Sequence, residues 1–246
     1  MGEVTEGVFD VLTFLVACVA GGVASVAGFG IGSILTPWLS IEAGIRVAVA
    51  AISIPHLIGT AVRFWMLRGA LDRHVLATFG TMSAAGGLAG ALLHTVIRSD
   101  ALTAVFAALL IFAGISGLTG LSSRMRFHGP VAWIAGGISG LFGGLVGNQG
   151  GIRAAALMGF AIRRDAFVAT ATAVALLVDF ARMPIYFVAE WREIAAMWPS
   201  VVIATVGVVA GTIAGRRLLA NIPESHFRRI VSGLILALGF VMLSRI

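Results

Sequence analysis

The chain has 246 residues, of which 59% are hydrophobic and only 11% are charged, and its mean hydropathy is +1.03. Soluble domains carry about 25% charged residues, so the composition excludes a soluble globular protein and predicts a membrane domain along the whole length. The seventeen basic residues are all arginines spread over short loops, and the net charge of +6 therefore offers no clustered patch for nucleic acid.

The single cysteine and the first ten residues exclude further classes of protein. Cys18 is the single cysteine, which excludes an internal disulfide and a cysteine-based metal or cluster site. We expect no metal and no cofactor. The first ten residues contain acids and lack the basic start of a cleaved signal peptide, so the N-terminus is expected to stay on the protein.

Eight apolar segments follow one another along the chain, and short loops that carry the charges separate them. All of them are predicted to be α-helical. Their approximate bounds are 9–41, 45–67, 75–97, 101–121, 131–162, 167–189, 194–215 and 227–243.

The first and fifth segments are interrupted by glycines. Gly28, Gly30 and Gly32 interrupt the first, and the run from Gly147 to Gly151 interrupts the fifth. Backbone this rich in glycine does not hold a regular helix, and a break in hydrocarbon is tolerated only where protein or a wet cavity surrounds it. Two matching breaks predict a site built from broken helices, as in secondary transporters.

The order of segments repeats. A shift of roughly 115 to 120 residues lays Gly28 on Gly143, Gly30 on Gly150 and Arg63 near Arg182. The predicted N-terminal repeat is 1–125 and the C-terminal repeat is 126–246, each with one broken segment followed by three unbroken ones.

The distribution of arginines decides between two topologies. If each broken segment is a re-entrant hairpin and the acidic N-terminus is outside, ten loop arginines fall inside and four outside, against eight and six for single crossings. The positive-inside rule favours hairpins. Three crossings per repeat is an odd number, so the predicted fold is an all-α polytopic membrane protein with two inverted repeats.

Three stretches resemble the TauE/SafE family of sulfite exporters, bacterial membrane proteins with two repeated halves. They are A-G-F-G-I-G-S-I-L-T-P at 27–37, R-F-W-M-L-R-G-A-L-D at 63–72 and G-G-I-S-G-L-F-G-G at 136–144. The resemblance covers nearly the whole chain. It implies a location in the bacterial inner membrane and transport of sulfite, an organosulfonate or a small carboxylate. The family's more usual second motif, G-I-G-G-G with a following proline, is replaced here by G-N-Q-G-G-I-R, which leaves the substrate open.

The second break suggests an anion site. If the chain resumes as a helix there, its first amides and the positive end of its dipole face the cavity, and Arg153 in that first turn opposes the dipole unless an anion is bound. The alternative is that Arg153 caps carbonyls or reaches a headgroup. The candidate substrate-binding residues are Arg153, Asn148, Gln149, Gly150 and Gly151, with Gly30, Gly32 and Ser33 from the first break. Asn148 and Gln149 could instead satisfy carbonyls freed by the break.

Ionisable residues inside other segments are candidates for gating or proton coupling: Asp179, Arg182, Arg63 and His56. Asp179 and Arg182 are three residues apart, so they share a helix face and can form an ion pair. An unpaired buried carboxyl could carry a transported proton, whereas a structural pair would only hold the helix near Pro184. Arg63 occupies the place of Arg182 in the first repeat, and His56 lies on the same face as Arg63.

These features predict a transporter for a small anion in a lipid bilayer, with an anion channel or a carboxylate permease of the same fold as the alternative. An intramembrane enzyme is disfavoured, since H-E-x-x-H is not present. Substrate, direction, coupling ion and oligomeric state, with a homodimer as one option, do not follow from the sequence.

Overall fold

A computed structural model describes residues 2–124, 129–148, 150–157, 160, 162–218 and 223–246. Among the described residues the regular elements are all helices, with no strand, and seven of these helices are long and apolar enough to cross a membrane. The predicted all-α polytopic fold is therefore confirmed.

The described residues of the N-terminal half form six α-helices. They are α1 (Gly2–Ala27), α2 (Ile31–Leu67), α3 (Arg73–Val75), α4 (Thr81–Val96), α5 (Ser99–Thr119) and α6 (Leu121–Arg124). A 3-10 turn at Arg68–Ala70 follows α2, and a π-helical turn at Leu76–Gly80 joins α3 to α4.

The C-terminal half contains five α-helices among the described residues. They are α7 (Pro130–Val146), α8 (Gly150–Leu157), α9 (Arg164–Ala196), α10 (Trp198–Leu218) and α11 (Glu224–Leu243). At 17 residues, α7 is an apolar helix slightly too short to count among the seven candidate spans.

Both glycine-rich stretches break the helices where the sequence predicts. The helix α1 ends at Ala27 and α2 begins at Ile31, and α7 ends at Val146 before α8 begins at Gly150. The indole nitrogen of Trp38 donates to Thr13 Oγ1 at 2.9 Å, and its ring stacks on Phe9. These contacts show that the chain turns back on itself after the first break. The helix α1 and the first part of α2 therefore form a hairpin whose tip is the glycine stretch.

Contacts at the two ends of the molecule agree with the hairpin topology. Arg46 donates to the carbonyl of His94 at 2.7 Å and lies 3.7 Å from Glu190. Single crossings would place Arg46 and Glu190 on opposite sides of the membrane, whereas hairpins place them on the same side. At the other end, the Asp72 amide donates to Thr170 Oγ1 at 3.1 Å, again as hairpins require.

Helix packing repeats between the two halves, with partners exchanged. The first arm of each hairpin packs against a helix of the other half: α1 against α10, and α7 against α4. Glycines allow the approach in both cases. A Cβ at Gly21 would lie 2.2 Å from the carbonyl oxygen of Val208, and a Cβ at Gly140 would lie 1.9 Å from that of Ser83. The division at residues 125 and 126 and the inversion of one half relative to the other both stay predictions.

Two predicted boundaries are wrong. The separate segments ending at Ile41 and beginning at Ile45 form one helix, α2, whose only non-helical residue is Gly44 with φ 73° and ψ 164°. The charged stretch 190–193 lies inside α9, not in a loop, and only Glu190 departs from helical geometry there. In both places the charged residues lie beside a bend within a helix. Charged residues at a membrane surface need contact with water, and a helix can provide that contact without being interrupted by a loop.

The packing of α7 on α4 yields a stability prediction. Gly140→Ala should lower the thermal unfolding temperature of the purified protein, because close helix approach in membranes depends on small residues and a methyl group here meets backbone at 1.9 Å. Gly137→Ala is the matched control on the same helix, since its Cβ would meet nothing nearer than 3.8 Å. Equal unfolding temperatures for the two variants would contradict the packing.

Candidate functional site

The two breaks meet inside the molecule. A Cβ at Gly32 would lie 2.4 Å from the Gly147 carbonyl oxygen, and one at Gly150 would lie 2.3 Å from Phe29 Cβ. The hydroxyl of Ser33 donates to Asn148 Oδ1 at 3.4 Å. Described residues of the first break thus contact described residues of the second at several points.

Backbone geometry at this junction explains the glycines. Gly28, Gly30 and Gly147 have φ values of 80°, 134° and 72°, a region that side chains with a Cβ rarely adopt. Because α2 and α8 both begin here, the amides of their first turns have no acceptor within their own helix. In α2 the first helical hydrogen bond runs from the Ile34 amide to the Gly30 carbonyl. Two helix starts, each with free donors and a positive dipole end, therefore lie side by side.

Arg153, in the first turn of α8, reaches across the junction. Its side chain is buried, and Nη2 donates to the Gly28 carbonyl at 3.3 Å. The other terminal nitrogen, Nη1, is buried without a hydrogen-bond partner among the described atoms. Arg153 therefore does cap a carbonyl, as one reading of the sequence proposed, but the capping occupies only part of its donor set.

Arg63 and Arg182 make equivalent hydrogen bonds in the two halves. Arg63 Nη1 donates to the Ala24 carbonyl at 2.6 Å, and Arg182 Nη1 donates to the Gly143 carbonyl at 2.7 Å; each bond spans 39 residues. Each accepting carbonyl also receives an amide four residues on, from Gly28 and Gly147 respectively. Each arginine thus stabilises the last turn of the helix that ends at its own break.

These bonds fix the register of the repeat. They relate Arg63 to Arg182, 119 residues further on (182 minus 63), and by the same shift Gly28 to Gly147. The sequence alignment that laid Gly28 on Gly143 is therefore wrong by one helical turn. Glycines recur so often in α7 that composition alone could not choose among them.

Asp179 is the carboxylate of this region, and it has two partners. Its side chain is fully buried, 2.8 Å from Arg182 Nη2 and 2.7 Å from His56 Nδ1. The ion pair anticipated from the spacing of Asp179 and Arg182 is present, and His56 of α2 joins it from the other half. Both partners occupy Asp179 in the manner expected of a structural pair, and its role in proton coupling stays a prediction.

Positive charge exceeds negative charge at the junction. Three buried guanidinium groups, from Arg63, Arg153 and Arg182, face a single described carboxylate, that of Asp179. With His56 neutral, the excess is therefore two positive charges (three minus one). The other described buried carboxylate, Glu190, lies eight residues beyond Arg182, about 12 Å along the helix, and pairs with Arg46.

Two residues at the second break were not anticipated. The hydroxyl of Tyr186 donates to the Gly144 carbonyl, and His94 Nδ1 bonds the Leu145 carbonyl at 2.7 Å. With Arg182 on Gly143, side chains thus bond three consecutive carbonyls at the end of α7, of which that of Gly143 also accepts from the Gly147 amide. Tyr186 is the single tyrosine of the chain and lies one turn after Arg182, a signal that could have found it.

The structure brings most of the predicted site residues together. Substrate-binding candidates at the junction are Gly30, Gly32, Ser33, Asn148, Gly150, Gly151 and Arg153, and the gating candidates His56, Arg63, Asp179 and Arg182 adjoin it. Gln149 lies outside the described residues. Asn148 is buried and, like Arg153, keeps a donor, Nδ2, without a partner among the described atoms. No group of histidine, cysteine and acidic residues able to hold a metal occurs among the described residues.

A polytopic helical membrane protein whose two broken hairpins meet in its interior has the architecture of a secondary transporter. The family model described as "Sulfite exporter TauE/SafE" matches residues 13–242, and the chain therefore belongs to this family of membrane transporters. Searches for similar proteins found no significant match among curated proteins and none among solved structures.

Proposed function

We propose that the protein transports a small sulfur-containing anion, sulfite or an organosulfonate, which binds where the two helix breaks meet. One observation carries the proposal: Arg153 is buried at the junction with a guanidinium nitrogen that has no partner among the described atoms. A buried, incompletely paired cation is costly, and a bound anion would remove that cost.

The donors at the junction suit an oxyanion. Arg153 Nη1 and Asn148 Nδ2 come from the second break, and the first-turn amides of α2 and α8 supply backbone donors from both breaks. A sulfonate or sulfite group presents three oxygens and can accept from several directions at once. Contributions from both halves also suit transport, because a movement of one hairpin relative to the other would dismantle the site and release the anion.

The test is uptake into proteoliposomes that contain the purified protein, with sulfite, sulfoacetate, taurine and simple carboxylates offered in turn. The wild type should take up at least one of these anions with saturable kinetics and counterflow, as a carrier does. Arg153→Ala should reduce that uptake at least about tenfold, the effect of losing one charge-assisted hydrogen bond.

Arg98→Ala is the matched control, because the Arg98 side chain is 88% exposed and pairs with Asp100, which is itself 73% exposed. It should transport as the wild type does. Uptake by Arg153→Ala equal to that of the Arg98→Ala control would refute the site, whereas a wild type that transports none of the anions would refute the function.

We propose further that the N-terminus faces outward from the bacterial inner membrane. The arrangement rests on the arginine distribution and on the contact between Arg46 and Glu190, which agrees with hairpins. It places Arg98 outside and Arg217 inside, and both side chains are exposed.

Cysteine labelling should reveal this orientation. In a Cys18→Ser background, a membrane-impermeant maleimide added to intact cells should label Arg98→Cys but not Arg217→Cys, which should react only after permeabilisation. The reverse pattern would invert the topology, and labelling of both in intact cells would contradict the hairpin arrangement.

A further inference from the structure

Two guanidinium groups, one from each half, lie close together at the end of α1. Arg63 donates to the Ala24 carbonyl and Arg153 to the Gly28 carbonyl. These carbonyls are four residues apart, about 6 Å of helix rise. Both guanidinium groups are buried.

The neighbours of Arg63 differ from those of Arg182. One turn before Arg182, Asp179 provides a carboxylate at 2.8 Å. One turn before Arg63, the equivalent position holds Thr60, whose buried hydroxyl has no partner among the described atoms. Arg63 donates hydrogen bonds to neutral groups, Thr172 Oγ1 at 3.1 Å and the Ala24 carbonyl. The repeat therefore places a carboxylate in direct contact with Arg182, whereas no described carboxylate contacts Arg63.

We infer that the anion carried by the proposed transporter is doubly charged, and that Arg63 and Arg153 together are its counter-ions. The inference rests on the proposed function and specifies its substrate. With Arg182 neutralised by Asp179, the remaining buried charge is that of Arg63 and Arg153. A singly charged anion would leave one of these cations uncompensated, and a doubly charged anion would balance both.

This assignment gives Thr60 a role in selecting substrate charge. A carboxylate at position 60 would pair with Arg63 as Asp179 pairs with Arg182, three residues along the same helix face. Thr60→Asp should therefore convert the site to one that favours singly charged anions. Thr60→Asn introduces a side chain of nearly the same shape as aspartate but without its charge, so it is the matched control.

The experiment compares two small sulfonates of similar size in the proteoliposome assay. Sulfoacetate carries a carboxylate in addition to its sulfonate, whereas isethionate carries a neutral hydroxyl. Each is tested as a competitor of labelled sulfoacetate uptake. For the wild type and Thr60→Asn, sulfoacetate should compete at least about tenfold better than isethionate, as one charge-assisted hydrogen bond predicts. For Thr60→Asp, sulfoacetate should no longer compete better than isethionate.

Arg63 variants provide a second line of evidence if Thr60→Asp does not fold. Arg63→Gln keeps an amide donor for the Ala24 carbonyl and loses the charge, so it should also lose the preference for sulfoacetate. Arg63→Lys keeps the charge and should retain the preference.

The outcomes separate the two proposals. Equal competition by the two sulfonates in the wild type would overturn the doubly charged substrate and leave transport of an anion intact. A full preference for sulfoacetate in Thr60→Asp, or in Arg63→Gln, would overturn the role of Arg63. Absence of uptake of every sulfonate and of sulfite by the wild type would overturn the proposed function itself.

Discussion

Asp179→Asn is expected to lower the free energy of unfolding by about 3–5 kcal/mol, the usual loss when one member of a buried ion pair is removed. The reason is that the fully buried Asp179 carboxylate compensates the charge of Arg182 and accepts a hydrogen bond from His56. Asparagine would leave the Arg182 guanidinium without a counter-ion beside two other buried cations. Denaturant unfolding of the purified protein in detergent measures the effect.

An exposed acid provides the control. Asp100 also lies near an arginine, Arg98, at 3.5 Å, but both side chains are largely exposed. Asp100→Asn should therefore change the free energy of unfolding by less than about 1 kcal/mol. If the two asparagine variants were equally stable, Asp179 would not compensate Arg182.

Coupling between the partners can be measured directly. Removing both charges, in Asp179→Asn with Arg182→Gln, should cost less than the sum of the two single substitutions, because the double variant leaves no uncompensated cation at that position. Arg182→Gln should still be destabilising alone, since Arg182 also donates to the Gly143 carbonyl at 2.7 Å. Strict additivity would mean that Asp179 and Arg182 act independently.

The breaks were predictable from the sequence because their cause is local. Glycines at 28, 30 and 147 adopt positive φ values that few other residues tolerate, so their clustering in an apolar segment identifies the place where a helix stops. The ion pair of Asp179 and Arg182 was predictable for the same reason, because helical spacing alone places both on one face.

Contacts between the halves were not predictable in this way. Arg153 reaches the carbonyl of Gly28, 125 residues away, and His56 joins Asp179, 123 residues away. Both contacts depend on how the two halves of the chain come to face each other. Composition cannot choose a partner at such distances when many polar groups are equivalent. The same limit explains the misassigned equivalence of Gly28 and Gly143, which only hydrogen bonds could correct.

The bends at Gly44 and Glu190 show a further limit. Charged residues near a predicted segment end indicate where a helix meets the membrane surface, and both stretches contain them. They do not indicate whether the chain leaves the helix there. In α2 and α9 the backbone departs from helical geometry at one residue and then continues, which a hydropathy pattern cannot distinguish from a short loop.

Gly32→Ala is expected to reduce anion uptake at least about tenfold and to cost about 1–3 kcal/mol of stability, the usual range for overpacking a close contact. A methyl group there would lie 2.4 Å from the Gly147 carbonyl oxygen, so the two breaks would have to separate. Separation would also move Ser33 from Asn148 and change the distance between the two helix starts that form the proposed site. Initial rates of uptake in proteoliposomes and unfolding of the same preparation measure both effects.

A glycine remote from the junction distinguishes this mechanism from a general intolerance of alanine. Gly233 lies within α11, and a Cβ there would meet nothing within 4 Å. Gly233→Ala should therefore transport normally and be as stable as the wild type or more stable by up to about 1 kcal/mol, since alanine is favoured over glycine inside a helix. If Gly32→Ala transported as fast as Gly233→Ala, close approach of the two breaks would not be needed for transport, and the anion would have to bind elsewhere.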